Sequence, residues 1–184
     1  MVDSMIAERQ EVVAGYRFAN SFVSIEAAPA ASRTNLRATT AGARSFGKSI
    51  GLDLSMKMHE TASHAGRHAL KLGPDEWLLI DTKNVNDTMV PRLANKNFSA
   101  VDISHRNCAF VITGAGAANT LNAACPRDLS LTTFPVGTCS RTVFGKAEVV
   151  LYRTAKDAFR LECWRTFATY VRDYLVESAK DAHI

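Results

Sequence analysis

The apolar positions change period several times along this chain, and each change marks an element. From Phe22 to Ala27, FVSIEA alternates apolar and polar residues as a half-buried strand does. APAASRTN (28–35) has no periodicity and reads as a loop. Residues 40–51, TAGARSFGKSIG, place Ala43, Phe46 and Ile50 on one face at helical spacing, against the weakening effect of three glycines. A long polar connection covers 52–67 and runs into HETASHAGRH. ALKLGPDEWLLID (69–81) then predicts a hairpin that turns at Gly73-Pro74-Asp75, with Trp77, Leu79 and Ile80 on its second strand. A helix is expected over 85–96, with Pro91 as a kink or stop, and FSAVDIS (98–104) is a further strand.

The later part opens with NCAFVIT (107–113), a run apolar enough for a buried strand. Gly114 turns the chain, and AGAANTLNAAC forms a helix that turns Ala117, Ala118, Leu121 and Ala124 inward until Pro126 stops it. TCSRTVFGKAEVVLY (138–152) is a second hairpin turning at Gly145-Lys146, and AFRLECW (158–164) is one more strand. The last element is an amphipathic helix over about 165–180, with Phe167, Val171, Tyr174, Leu175 and Ser178 along its narrow face.

LGPDEWLLI (72–80) and FGKAEVVLY (144–152) share a pattern of apolar–Gly–x–x–Glu followed by apolar residues. With their flanking elements they suggest an internal repeat. The first half reads β-α-β-β-α-β, and the second is similar with its final strand and helix rearranged. The expected fold class is therefore α+β, two packed split β-α-β (ferredoxin-like) halves, with a single α+β sheet as the alternative. In domain terms, residues 1–19 form an irregular arm and 20–184 one domain, divided at about 20–104 and 105–184.

Composition narrows the function. With 47% hydrophobic and 22% charged residues, the 184-residue chain has an ordinary globular mixture. Its formal charge of +4 is scattered, without the basic blocks or aromatic interleaving that nucleic-acid binding needs. MVDSMIAERQEVV offers no apolar core for a signal peptide, and no stretch approaches the roughly 18 apolar residues of a membrane span. Cytoplasm is the expected compartment. Cys108, Cys125, Cys139 and Cys163 form no CxxC pair, and Cys108 and Cys163 read as small buried hydrophobes.

Four segments carry residues capable of chemistry or contact. GAGAAN (114–119) imitates the dinucleotide fingerprint, but Asn119 stands at its third glycine and Asp128 comes too early to hold a ribose. His59, His64 and His68 could supply metal ligands, yet their segment holds Gly66 and no HExxH glutamate. Asp102, Ser104, His105 and Arg106 adjoin one another in VDISHR. Adjacent residues on a strand point to opposite faces, and no GxSxG elbow accompanies them, so the segment reads as a polar corner contacting backbone or a partner. Trp77 and Trp164 are expected in the core first, and as interface anchors second.

LGPDEWLLI, VDISHRNCAFVITGAGAANTLNAACPRDLS (101–130), FPVGTCSRTVFGKAEVVLYR and FRLECWRTFATYVRDYL together resemble the gamma subunit of bacterial heterotetrameric sarcosine oxidase. The resemblance runs from near residue 68 to 176. The strand-turn-helix after DxSH is also similar to aminomethyltransferase-like folate proteins, including the glycine cleavage T protein, whose N-terminal fold is thereby implied. No match to their folate-contacting acidic residue is found, and no catalytic, cofactor-binding or metal residue is carried over.

For the sarcosine oxidase family the resemblance implies a non-catalytic structural subunit in a complex with alpha, beta and delta subunits, alpha being the expected direct contact. Such a complex oxidises sarcosine to glycine, with hydrogen peroxide and formaldehyde or methylene-tetrahydrofolate as products. FAD, FMN, NAD, tetrahydrofolate and zinc are implied for the complex and none for this chain. The alternatives are a stand-alone folate-binding aminomethyltransferase-like protein and a nucleotide-binding module built on GAGAAN. Dimethylglycine in place of sarcosine also stays open, because specificity would lie in another chain.

Overall fold

A strand with hardly an apolar residue runs through the middle of one sheet. The computed structural model describes residues 12–85, 89 and 97–182, and places β3 (Ser32–Ala38, SRTNLRA) between two partners, with Ser32, Arg33, Thr34, Leu36 and Ala38 buried. The expected loop over 28–35 is thus half strand. Its polar sequence hid it, because Arg33 is buried opposite an acidic partner on another sheet.

The earlier elements are β1 (Arg17–Ala19) and β2 (Ser24–Ala27). Residues 1–11 of the expected arm lie outside the described residues, and its end is not irregular, since Arg17 pairs with Glu26 in the β1–β2 ladder. After β3 comes α1 (Thr40–Ile50). The Thr39 hydroxyl accepts from Gly42 N–H at 3.1 Å to cap its start, and Gly51 closes it in the left-handed region at φ 72°. Its interior glycines cost helix propensity but admit neighbours: a Cβ at Gly42 would strike the Asn97 carbonyl, and one at Gly47 the Leu52 carbonyl.

The expected connection over 52–67 holds another missed strand, β4 (Thr61–His64), which turns through Ala65 (φ 52°) and Gly66 (φ 88°) into β5 (Arg67–Gly73). Two positive φ values in a two-residue loop suit the right-handed twist of a hairpin. β6 (Glu76–Asp81) and β7 (Phe98–Asp102) follow as expected, while the helix anticipated over 85–96 falls largely outside the described residues. The remaining elements are β8 (Asn107–Thr113), α2 (Ala117–Asn122), β9 (Cys139–Phe144), β10 (Ala147–Ala155), β11 (Ala158–Trp164), a 3₁₀ turn at Arg165–Phe167 and α3 (Ala168–Asp181).

Two antiparallel sheets result, ordered β4-β5-β6-β3-β7 and β1-β2-β8-β11-β10-β9. In the first, β3, β5, β6 and β7 take the spatial order of a split β-α-β unit, and β4 adds an edge beside β5. In the second, β8, β10 and β11 occupy the equivalent places, and β9 adds the matching edge beside β10. The fourth strand is β2, which precedes the first half in sequence and pairs Ser24 with Thr113. The two-halves expectation therefore holds with its second unit permuted. LGPDEWLLI ends in β6 and FGKAEVVLY in β10, whereas β6 is topologically equivalent to β11, so the repeated sequence pattern falls on non-equivalent strands.

Three clusters divide the core. α2 and α3 cover one face of the six-stranded sheet over Phe110, Phe144, Phe159, Leu161, Val171 and Leu175. α1 covers the outer face of the five-stranded sheet over Leu36, Phe46, Trp77 and Leu79. Leu70, Leu78, Ile80, Val150 and Tyr152 fill the space between the sheets. A bridge between Glu60 and Thr138 joins the sheets near their added edge strands. The order is helix, sheet, sheet, helix.

Candidate functional site

Strand alternation decides which polar residues meet between the sheets. On β3 it sends Arg33 and Asn35 inward; on β6, Glu76; on β9, Arg141; on β11, Arg160 and Glu162. Arg33 Nε donates to Glu162 Oε2 at 2.6 Å, with both side chains at most 2% exposed. Arg160 Nε donates to the other carboxylate oxygen at 2.8 Å, and Arg33 Nη1 donates to the Ala31 carbonyl at 3.0 Å. Burial alone would raise the Glu162 carboxyl, but the Arg33 and Arg160 charges outweigh it and hold the group below its ordinary value. Glu162 is therefore an ionised clamp.

A second pair lies nearer the surface. Arg141 Nη2 donates to Glu76 Oε1 at 2.6 Å and Nη1 to Oε2 at 3.2 Å, a bidentate link from one sheet to the other. Hydrogen bonding to Arg141 holds Glu76 below its ordinary value and raises Arg141 in turn. The cleft bounded by Asn35, Glu76, Arg106, Asn107, Arg141 and Trp164 encloses about 30 Å³. A water needs roughly 10–15 Å³ by this measure, and small-molecule sites run to about 300–1,000 Å³. A reduced folate does not fit between these sheets. Larger hollows, about 280 Å³ beside Ala27–Ala30 and Cys108 and about 390 Å³ beside Lys48 and Asp53, lie outside the cleft.

VDISHR is the corner where the two sheets meet. Asp102 Oδ1 accepts from Ser104 N–H at 2.9 Å and from its hydroxyl at 2.5 Å, while Ser104 Oγ accepts from Arg33 N–H at 2.7 Å. Ser104 is thus held by an acid and a backbone group, with no histidine on it among these bonds. The corner continues outward: Arg106 stacks 5.1 Å from the Trp164 ring, Arg165 N–H donates to the Arg106 carbonyl at 2.8 Å, and Arg165 Nη1 lies 3.3 Å from both ring nitrogens of His105. Trp77 is in the core at 2% exposed, as expected. Trp164 is not: it is 40% exposed, with Phe167 at 37% beside it, because Trp164 ends β11 on the cleft-facing side shared with Arg160 and Glu162, and the 3₁₀ turn takes Phe167 off the narrow face of α3.

GAGAAN is a packed junction. A Cβ on Gly114 (φ 115°) would strike the Phe22 carbonyl, Gly116 N–H donates to that carbonyl at 3.0 Å, and Ala117 N–H donates to Gly114 O at 2.9 Å. The turn's donors go to protein, and its glycines admit the chain around Phe22. The short helix α2 follows without a phosphate cradle.

The three histidines also separate. His59, at φ 68°, has Nδ1 3.1 Å from the Cys139 carbonyl, whereas His68 Nδ1 lies 2.8 Å from the Ser63 hydroxyl. Among the described residues, no three His, Cys, Asp or Glu side chains gather as a metal site. The Ser63–His68 pair was missed because it needs β4, and a base beside a hydroxyl invites a nucleophile reading. Burial first, then the Arg160 charge, lowers the His68 value. The carboxylate of Asp81, one residue on from the Ile80 that faces His68, points to the opposite face of the sheet and is engaged by Arg67 at 2.9 Å. The Asp81 charge reaches His68 only through space, and among the described residues no carboxylate is hydrogen-bonded to it.

The four cysteines are free and buried. Cys108 and Cys163 face each other across β8 and β11 at 3.6 Å, and that hydrogen bond together with burial pushes the Cys163 thiol up. Burial pushes Cys139 up to about 12. Neither thiol is an activated nucleophile.

The layered pair of split β-α-β units is an α+β domain with an aminomethyltransferase-like fold. It superimposes with a TM-score of 0.63 on the glycine cleavage system aminomethyltransferase T from Bartonella henselae, at 12% identity over 84% of this chain and 45% of that one. The model of the sarcosine oxidase, gamma subunit family matches residues 35–181, and the chain belongs to that family. The sarcosine oxidase subunit gamma of Corynebacterium sp. (strain U-96) is 27% identical over 143 residues, 76% of this chain and 70% of that protein. The subunit gamma from Arthrobacter sp. is 28% identical over 123 residues, 65% of this chain and 61% of that protein. A chain of the heterotetrameric sarcosine oxidase from Corynebacterium sp. U-96, solved with pyrrole 2-carboxylate, shares the fold with a TM-score of 0.80 at 24% identity, over 90% of this chain and 88% of that one.

Proposed function

We propose that this chain is a non-catalytic structural gamma subunit of a heterotetrameric sarcosine oxidase. On this reading the complex demethylates sarcosine oxidatively to glycine, releasing hydrogen peroxide with formaldehyde or methylene-tetrahydrofolate. The alpha subunit is the direct contact of this chain, and beta and delta complete the assembly. FAD, FMN, NAD, tetrahydrofolate and zinc are held by those other chains, and the complex works in the cytoplasm. Among the described residues, no helix is long and apolar enough to cross a membrane.

The observation that carries the reading is the state of the intersheet cleft. Between its sheets this chain places two arginine–carboxylate clamps and leaves about 30 Å³, far below the space of a small-molecule site. The charged groups Arg33, Glu162, Arg160, Glu76 and Arg141 are engaged with one another there, which stiffens the domain and leaves little means of chemistry. Family membership supports placing the chain in such an assembly.

The test is co-purification of a tagged copy from its native host, with mass spectrometry, a visible spectrum and a peroxide assay. One large, one medium and one very small partner, a flavin spectrum and sarcosine-dependent peroxide are expected. A colourless chain without partners that binds reduced folate would replace this reading with the stand-alone aminomethyltransferase-like one.

A further inference from the structure

We propose that the corner formed by Arg106, Trp164, Arg165 and Phe167, with His105 at its side, is the surface through which this chain docks on a carboxylate-bearing segment of another subunit. The inference rests on the subunit reading above and adds the place and chemistry of the contact.

Trp164 and Phe167 are 40% and 37% exposed and lie side by side, with ring centroids 6.5 Å apart. Monomers seldom leave two large aromatics together in water, and tryptophan and arginine dominate the energetics of interfaces. The guanidinium of Arg106 covers one side of the indole at 5.1 Å, and its Nε donates to Asn107 Oδ1 at 3.3 Å. Nothing acidic forms an ion pair with it among the described residues.

The nearby carboxylates are committed elsewhere. Asp102 is taken by Ser104, Glu162 by Arg33 and Arg160, and Glu76 by Arg141. The corner therefore presents the Arg106 guanidinium on an aromatic platform, without an internal counter-charge for it among the described residues. An Asp or Glu of the partner supplies that charge and forms a charge-assisted bond in a site from which the two rings exclude water. The corner is also rigid before it binds. Arg165 N–H is bonded to the Arg106 carbonyl, and Asp102 and Ser104 tie the same loop to β3, so little ordering cost remains.

The experiment is co-expression of the tagged chain with the other three sarcosine oxidase subunits, followed by capture on the tag and titration of the captured complex at low and high salt. Arg106→Glu, Trp164→Ala and the pair are compared with wild type and with Val136→Ser, a change at an exposed residue of another loop. Thermal melts of the isolated variants report their folding. The pair is expected to weaken capture by at least about tenfold, Arg106→Glu alone to remove most of the salt dependence, and Val136→Ser to change nothing. Folded Arg106→Glu and Trp164→Ala variants that assemble like wild type overturn the proposal and leave the subunit reading intact. Loss with Trp164→Ala but not with Arg106→Glu overturns the carboxylate partner. A wild-type chain that captures no subunit overturns the subunit reading, and this inference with it.

Discussion

The outer faces of the two sheets and the face they share are built from different chemistry. Outside, α2 and α3 press on Phe110, Phe144, Phe159 and Leu161, and α1 presses on Leu36, Trp77 and Leu79. Inside, Leu70, Leu78, Ile80 and Val150 are interrupted by Arg33, Glu162, Arg160, Glu76 and Arg141. The apolar faces gain stability from area alone, wherever the helices settle. The shared face gains little net stability from its ion pairs, since desolvation offsets their attraction, but it penalises any packing in which the charges miss each other. One kind of face makes the sheets stable; the other fixes how they sit together.

The largest expected effect breaks the inner clamp. Glu162→Ala leaves two guanidinium groups buried without their carboxylate, and should cost about 3–5 kcal/mol in urea unfolding. Replacing Arg33, Arg160 and Glu162 together by apolar residues of similar volume should recover much of that loss. A triple variant as unstable as Glu162→Ala would mean that the clamp contributes more than geometry. On the outer face, Leu175→Ala under α3 removes a fully buried side chain and should cost about 2–4 kcal/mol by the same measurement. An equally large loss from Ser178→Ala would contradict the apolar account of that helix.

Acid sharpens the comparison. Glu76, Asp81 and Glu162 all have folded values below their ordinary ones. For Asp81 burial works upward, and the Arg67 and Asn84 side chains with the Asn84 and Lys83 amides more than reverse it. Their stabilisation is complete above the unfolded carboxylate values of 4.5 for Glu and 3.8 for Asp, and is lost as pH falls through the folded values. Stability should therefore drop below about pH 4.5, and Glu76→Gln should flatten the first part of that drop while costing about 1 kcal/mol at neutral pH. The smallest effect belongs to Trp164→Ala, expected within about 0.5 kcal/mol of wild type, since the ring is 40% exposed and packs on Arg106 and Phe167, themselves at the surface. A larger loss would make Trp164 part of the packing rather than of a contact surface.

The same contrast explains what could be read in advance. β8, β10, β11, α1 and α3 were legible because each carries an apolar face at its own period. β3 was not, because its inward residues are charged or polar and Arg33 meets its partner 129 positions away. β4 was hidden for the same reason, its residues being TASH. The corner VDISHR was legible as a corner, since adjacent polar residues on a strand cannot form a triad. Its exposed tryptophan was not: apolar neighbours in sequence suggested a core, but Trp164 ends β11 on the cleft-facing side of that strand and stays 40% exposed there. Glu76–Arg141 joins LGPDEW to TCSRTVFG, two of the segments that carried the family resemblance, but their contact needed the sheets.

The permuted strand has a consequence for the order of events in the cell. β2 is synthesised before the whole first half, yet its partner β8 leaves the ribosome only much later, with Ser24 destined for Thr113. Until then β2 has only the short ladder with β1, and the first half can settle without it. When β8, β10 and β11 appear, they expose a raw hydrogen-bonding margin that only the oldest part of the chain can cover. Asn20 then binds the Ala179 carbonyl at 2.9 Å, fastening the entry to β2 onto the closing helix. The second half thus waits for a long loop to close, a slow step in which an uncovered margin can pair with a neighbouring molecule. A circularly permuted chain that delivers β2 after α3 should fold faster and aggregate less during refolding.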